Sequence, residues 1–159
     1  MRVLVIHPLP LVQDGLAVVI RSFVPEAEVL PAKEPASAPA DQTFDRAIVD
    51  VSQSDVAPLS LLAAFRARFP GVPFAVASAA PLDAGTMFGA AQLGAVSQLP
   101  LASDMATIRQ TVGRLLGAES DASPAPVAPV IAKSAQATFR ENAARVNLTA
   151  RQMEVLQLL

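Results

Sequence analysis

Met1-Arg-Val-Leu-Val-Ile-His-Pro8, continued by Leu9-Pro-Leu-Val-Gln-Asp-Gly-Leu16, decides the fold. Val3-Leu4-Val5-Ile6 is an unbroken apolar run, too short for a helix and cut off by Pro8 and Pro10. A strand that is apolar on both faces belongs in a parallel sheet covered on both sides. Leu16, Val19, Ile20 and Phe23 then recur at helical spacing until Pro25, so a helix follows the strand directly.

The same alternation repeats down the chain. Residues 27–30 read as a second strand and residues 47–49 as a third, followed by a helix marked by Leu62, Phe65 and Phe69 that stops at Pro70-Gly71. Residues 74–77 are a fourth strand; Met87, Phe88 and Ala91 mark a helix closing at Gly94. Residues 95–99 are a fifth strand, after which Ser103 is placed to cap a helix carrying Ile108, Val112 and Leu115. Five such units predict an α/β, flavodoxin-like fold with parallel strands in the order 2-1-3-4-5 and helices on both faces. One unit departs from the rhythm: residues 31–41 occupy the place of a second helix, but Pro35 and Pro39 forbid a regular one and predict a loop or a single turn.

This domain is expected over residues 1–118. Residues 119–147 follow as a Pro/Ala-rich linker, extended and semi-rigid, with a helix near 134–146 that Ser134 would cap. Leu148-Thr-Ala-Arg-Gln-Met-Glu-Val-Leu-Gln-Leu-Leu159 then reads as a helix start. Thr149 is the N-cap, Gln152 closes a capping box, and Leu148 and Met153 can form a hydrophobic staple.

Composition narrows the function classes. Half the chain is apolar, which argues against wholesale disorder. A net charge of -2 gives no global attraction to a phosphate backbone, and Lys133, Arg140, Arg145 and Arg151 form only a modest local basic stretch. Cysteine is absent, which removes disulfides, thiolate catalysis and cysteine-ligated metals. The apolar run at the N-terminus is too short for a signal peptide or a membrane span, so a cytoplasmic location and no membrane partner are expected. No Gly-rich phosphate loop and no nucleophile-His-acid set is visible, and no enzymatic activity is expected.

Two stretches resemble one family. The order Leu-Thr-x-Arg-x-x-Glu-Val-Leu resembles the start of the LuxR-type (NarL/FixJ) helix-turn-helix domain, with Thr149, Arg151 and Glu154 at its motif positions. That likeness spans residues 148–159 only, without the recognition helix, so the chain is expected to be a fragment. Pro10-Leu-Val-Gln-Asp-Gly-Leu16 resembles the opening of the first helix in receiver domains of LuxR-type response regulators. Alignment through it puts Asp50 at the family's phosphoacceptor and Ser78 at its conserved hydroxyl.

The departures from the family pattern carry most of the functional reading. The two acidic residues that hold Mg²⁺ in the family correspond to His7 and Pro8, its phosphate-pairing lysine to Leu101, and its aromatic switch residue to Gln98. A hard octahedral cation needs oxygen ligands that His7 and Pro8 do not supply. Phosphoryl transfer needs metal and cation to neutralise the moving charge. The resemblance therefore implies a degenerate, pseudo-receiver site with no metal and no cofactor. His7, the sole histidine, lies in the strand next to that of Asp50, within reach of an imidazole–carboxylate contact; the two alone make no transition-metal site, lacking a third ligand. The implied function is a transcription regulator that dimerises and binds DNA through a complete C-terminal head. Its input would be a small ligand, a partner protein or constitutive dimerisation instead of aspartyl phosphate. The alternative is a receiver-fold adaptor that binds a partner protein and no DNA.

Overall fold

The computed structural model describes residues 1–39, 41–52 and 55–118. The linker, the helix expected near 134–146 and the head start with Thr149, Arg151 and Glu154 lie outside the described residues.

Five strands, β1 (Arg2–Ile6), β2 (Glu28–Ala32), β3 (Arg46–Asp50), β4 (Phe74–Ser78) and β5 (Ala95–Pro100), form one parallel sheet in the order β2-β1-β3-β4-β5. Four helices connect them: α1 (Pro10–Phe23), α2 (Pro58–Arg68), α3 (Ala84–Gln92) and α4 (Met105–Leu116). This is the flavodoxin-like order expected from the strand–helix alternation.

Side-chain alternation along each strand divides the core into two layers. Val3, Val5, Ile48, Ala75, Ala77 and Leu99 face Leu16, Val19 and Ile20 of α1 and Val112, Leu115 and Leu116 of α4. On the other face, Leu4, Ile6, Val49 and Val76 pack with Leu62 and Phe65 of α2 and Ala90 of α3. Rings tie that second layer together: Phe65 lies 5.0 Å from Phe74, and Phe44 meets Phe69 edge-on at 5.5 Å between centroids.

Helix boundaries follow local chemistry. α1 opens on Pro10, whose fixed φ suits a first helical position, and ends ahead of Pro25. α4 closes on Gly117 at φ 71°, a left-handed C-cap that glycine adopts without steric cost. Its N-cap is Asp104, whose Oδ1 accepts from the Thr107 N–H at 2.8 Å, so the Ser103 cap expected from the sequence is displaced by one residue. The carboxylate there is a stronger acceptor for orphan amides than a hydroxyl and favours the positive end of the helix dipole.

Two further readings shift. β2 runs on through Pro31 to Ala32 instead of ending at residue 30; an edge strand tolerates proline because one side of it needs no ladder donor. In α3 the residue that enters the core is Ala90, whereas Phe88 is 55% exposed. The missing second helix is a single 3₁₀ turn, Pro35–Ser37, as its prolines require. It is fastened at both ends. The Glu34 N–H donates to Ser37 Oγ at 3.2 Å, and Arg68 Nη2 of α2 donates to the Ala38 carbonyl at 2.7 Å.

Candidate functional site

In an open parallel sheet a ligand crevice forms at the carboxyl ends of the strands where strand order reverses. Here that point lies between β1 and β3, and the residues that end or follow them are His7 and Asp50. Both side chains are almost wholly buried, at 4% and 1% exposure.

His7 is fixed from two directions. Its Nδ1 accepts from the Leu9 N–H at 3.0 Å, so the neutral ring carries its proton on Nε2. That Nε2 points at Asp50 Oδ2 from 3.6 Å, facing it without a proper hydrogen bond. The backbone beneath is held by Gln13, a buried amide on α1 that donates to the His7 carbonyl at 2.6 Å and the Ala32 carbonyl at 3.0 Å. Gln13 lies inside the quoted 10–16 motif, but its helical position alone did not reveal that it ties the ends of β1 and β2 together.

The two oxygens of Asp50 differ. Oδ1 accepts from the Ser52 N–H at 3.2 Å and from Ser52 Oγ at 2.7 Å. The same Ser52 hydroxyl accepts from the Ala79 N–H at 2.7 Å, linking the end of β3 to the residue just past β4. Oδ2 is buried and has no hydrogen-bond partner. Ser52 was missed by sequence reasoning; the available signal was its place two residues after an aspartate, the spacing of an Asx turn.

The other expected site residues are brought to the same end of the sheet but turned to other work. Ser78 is buried and its Oγ accepts from Gln98 Nε2 at 3.1 Å, so the hydroxyl is engaged along β5. The Leu101 N–H donates to the Ser78 carbonyl at 2.9 Å, and its side chain packs against the α1/α4 layer of the core. Position 101 thus carries an apolar group spent on packing.

Pro8 and Asp50 line a cleft of about 520 Å³, together with Lys33 and Glu34 ahead of the 3₁₀ turn, Asp55, and Ser60 of α2. Lys33, Glu34 and Asp55 were not singled out from the sequence, because their loops carry no periodic pattern. The cleft does not fit Mg²⁺. One oxygen of Asp50 is taken by Ser52, His7 offers only nitrogen, and no group of three potential ligands occurs among the described residues.

No protein-family model and no curated protein matches the chain. Solved structures do. A LuxR family DNA-binding response regulator from Silicibacter pomeroyi superposes with a TM-score of 0.61 at 20% identity, over 75% of this chain and 93% of that one. A response regulator from Thermotoga maritima gives 0.56 at 20% identity over 73% and 97%. A putative pilus assembly-related protein from Burkholderia pseudomallei gives 0.59 at 16% identity over 78% and 93%. At such identities the likeness concerns the fold, and the sheet of order 2-1-3-4-5 with its flanking helices is that of the response-regulator receiver domains.

Proposed function

We propose that this chain belongs to a transcription regulator whose receiver-fold domain controls a LuxR-type DNA-binding head without Mg²⁺-dependent aspartyl phosphorylation. The observation that carries the reading is the environment of Asp50. One oxygen is held by both donors of Ser52, the other faces the Nε2 proton of His7, and Leu101 stands where a lysine would be needed. A phosphoryl group on this carboxylate would displace the Ser52 hydroxyl and meet neither a cation bound by an acidic pair nor a lysine on β5. Regulation then works by population shift: an input that binds one arrangement of the domain better than another biases the head.

The test is an intact-mass spectrum of the protein after incubation with acetyl phosphate and Mg²⁺. No phosphorylated species is expected. A stable adduct that disappears in Asp50→Asn refutes the phosphorylation-independent reading. The DNA-binding half is tested on the natural gene product. Sequence-selective DNA retention that is lost when only residues 1–118 remain supports a regulator, and its absence from the natural product favours an adaptor.

A further inference from the structure

We infer that the cleft beside Asp50 binds a small organic cation, an ammonium or guanidinium compound, a proposal that rests on the regulatory reading above and names its input. Charge points that way first. Glu34, Asp50 and Asp55 line the cleft against Lys33, so carboxylates outnumber cations there. The excess repels phosphate and carboxylate ligands and attracts positive ones.

The second observation is the hydrogen-bonding state of Asp50 itself. The Asp50 side chain is 99% buried, and its Oδ2 has no hydrogen-bond partner. A buried acceptor without a donor is costly, and the cost is greater for a charged group. His7 Nε2, at 3.6 Å, does not satisfy it. Asp50 lines the cleft, so a positively charged N–H that displaces its cover there would supply both the missing donor and the missing counter-charge.

Size and wall chemistry favour an organic cation over a bare ion. At about 520 Å³ the cleft falls in the range of roughly 300–1,000 Å³ usual for small-molecule sites. Pro35, Val56 and Leu61 give it apolar walls suited to a carbon stem, with the charged head directed at the carboxylates. Among the described residues no metal-ligand trio competes. Because the cleft is walled by residues of both the 3₁₀ turn and α2, an occupant touches the segment that replaces the second helix and the carboxylate at the end of β3 together.

The experiment titrates the 159-residue chain at low salt with putrescine, agmatine and L-arginine, and separately with MgCl₂ and inorganic phosphate. The readouts are the amide resonances of residues 33–36 and the imidazole resonances of His7. At least one of the three organic cations is expected to give saturable shifts below about 10 mM, a weak but specific affinity. Asp50→Asn weakens that binding about tenfold or more, the size of one lost charged hydrogen bond. Glu34→Gln, on an exposed residue that no core packing depends on, weakens it severalfold and covers the case in which the Asp50 variant misfolds. Lys33→Ala leaves it unchanged or stronger. No saturable shift with any of the three cations, tighter binding of phosphate or Mg²⁺, or loss of binding in Lys33→Ala would each overturn the proposal. Acetyl phosphate separates the two ideas. An Asp50 adduct with cation binding intact removes the regulatory reading alone, whereas no adduct and no cation binding removes this inference alone.

Discussion

The Ser52 hydroxyl is a small group with a disproportionate structural task, and Ser52→Ala measures it. It donates to Asp50 Oδ1 at 2.7 Å and accepts from the Ala79 N–H at 2.7 Å, so the variant breaks two bonds at once. In a dry interior a hydrogen bond to a charged group is worth about 1.5–3 kcal/mol and a neutral one about 0.5–1.5 kcal/mol. Ser52 is exposed, however, and water can replace the hydroxyl at both partners; Asp50 also keeps the Ser52 N–H. The discounted loss is about 1 kcal/mol, close to the cost of one ordinary hydrogen bond. For a domain of this size that lowers the melting temperature by about 4 °C. Urea denaturation should show the lower midpoint at an unchanged slope, and the Ala79 amide should exchange its hydrogen faster. Ser52→Thr keeps the hydroxyl and should retain most of the stability. An alanine variant with the parental midpoint and unchanged Ala79 exchange would refute the claim that this hydroxyl joins β3 to β4.

Two other outcomes follow from the core and from a helix cap. Phe65 is fully buried between Phe69, at 5.4 Å, and Phe74, at 5.0 Å, so Phe65→Ala should cost about 3–5 kcal/mol, most of the stability of an ordinary domain; a loss under about 1 kcal/mol in urea would mean that the layer repacks around the void. The backbone N–H of Thr107, with help from its hydroxyl, holds the Asp104 carboxyl below its ordinary value of 3.8. A lowered folded-state value stabilises the domain above the unfolded value, and the contribution is lost as pH falls through the folded value. Asp104→Ala should therefore lower the thermal midpoint near neutral pH by more than it does in strong acid; a deficit that is the same at both would show that the cap carries no charge-dependent stability.

The parts of the molecule legible in the sequence are those where a short pattern has one physical solution. Val3-Leu4-Val5-Ile6 can be buried on both faces only in a covered sheet, and its alternate side chains do enter the two opposite core layers. The prolines at 35 and 39 exclude a helix whatever the rest of the chain does, and a 3₁₀ turn stands there. Where several residues compete for one task, tertiary packing decides. Asp104 takes the cap from Ser103, and Ala90 takes the core position that Phe88 would fill by hydropathy alone. At the site, the sequence already showed that His7, Pro8 and Leu101, which follow β1 and β5, bring neither a carboxylate nor an ammonium group. The roles of Ser52, Gln13 and Lys33 stayed hidden, since a hydroxyl, an amide and a surface lysine gain meaning only from what they touch.

These residues bear on each other through electrostatics. Two further carboxylates beside a buried aspartate repel it unless a cation or a retained proton relieves the charge. His7 and Pro8, which follow β1, place no carboxylate beside Asp50, so no such repulsion arises from that side. Asp50 can then be buried to 1% exposure, held on one side by Ser52 and met on the other by an imidazole whose tautomer the Leu9 amide fixes. Introducing an acidic residue, as in Pro8→Asp, would bring such repulsion to the cleft, and the apolar Leu101 offers no charge to offset it. Such a variant gains a metal ligand at the expense of the resting site. His7, Pro8, Ser52 and Leu101 thus make one consistent set around a carboxylate that is closed in on both sides and keeps one buried oxygen without a hydrogen bond.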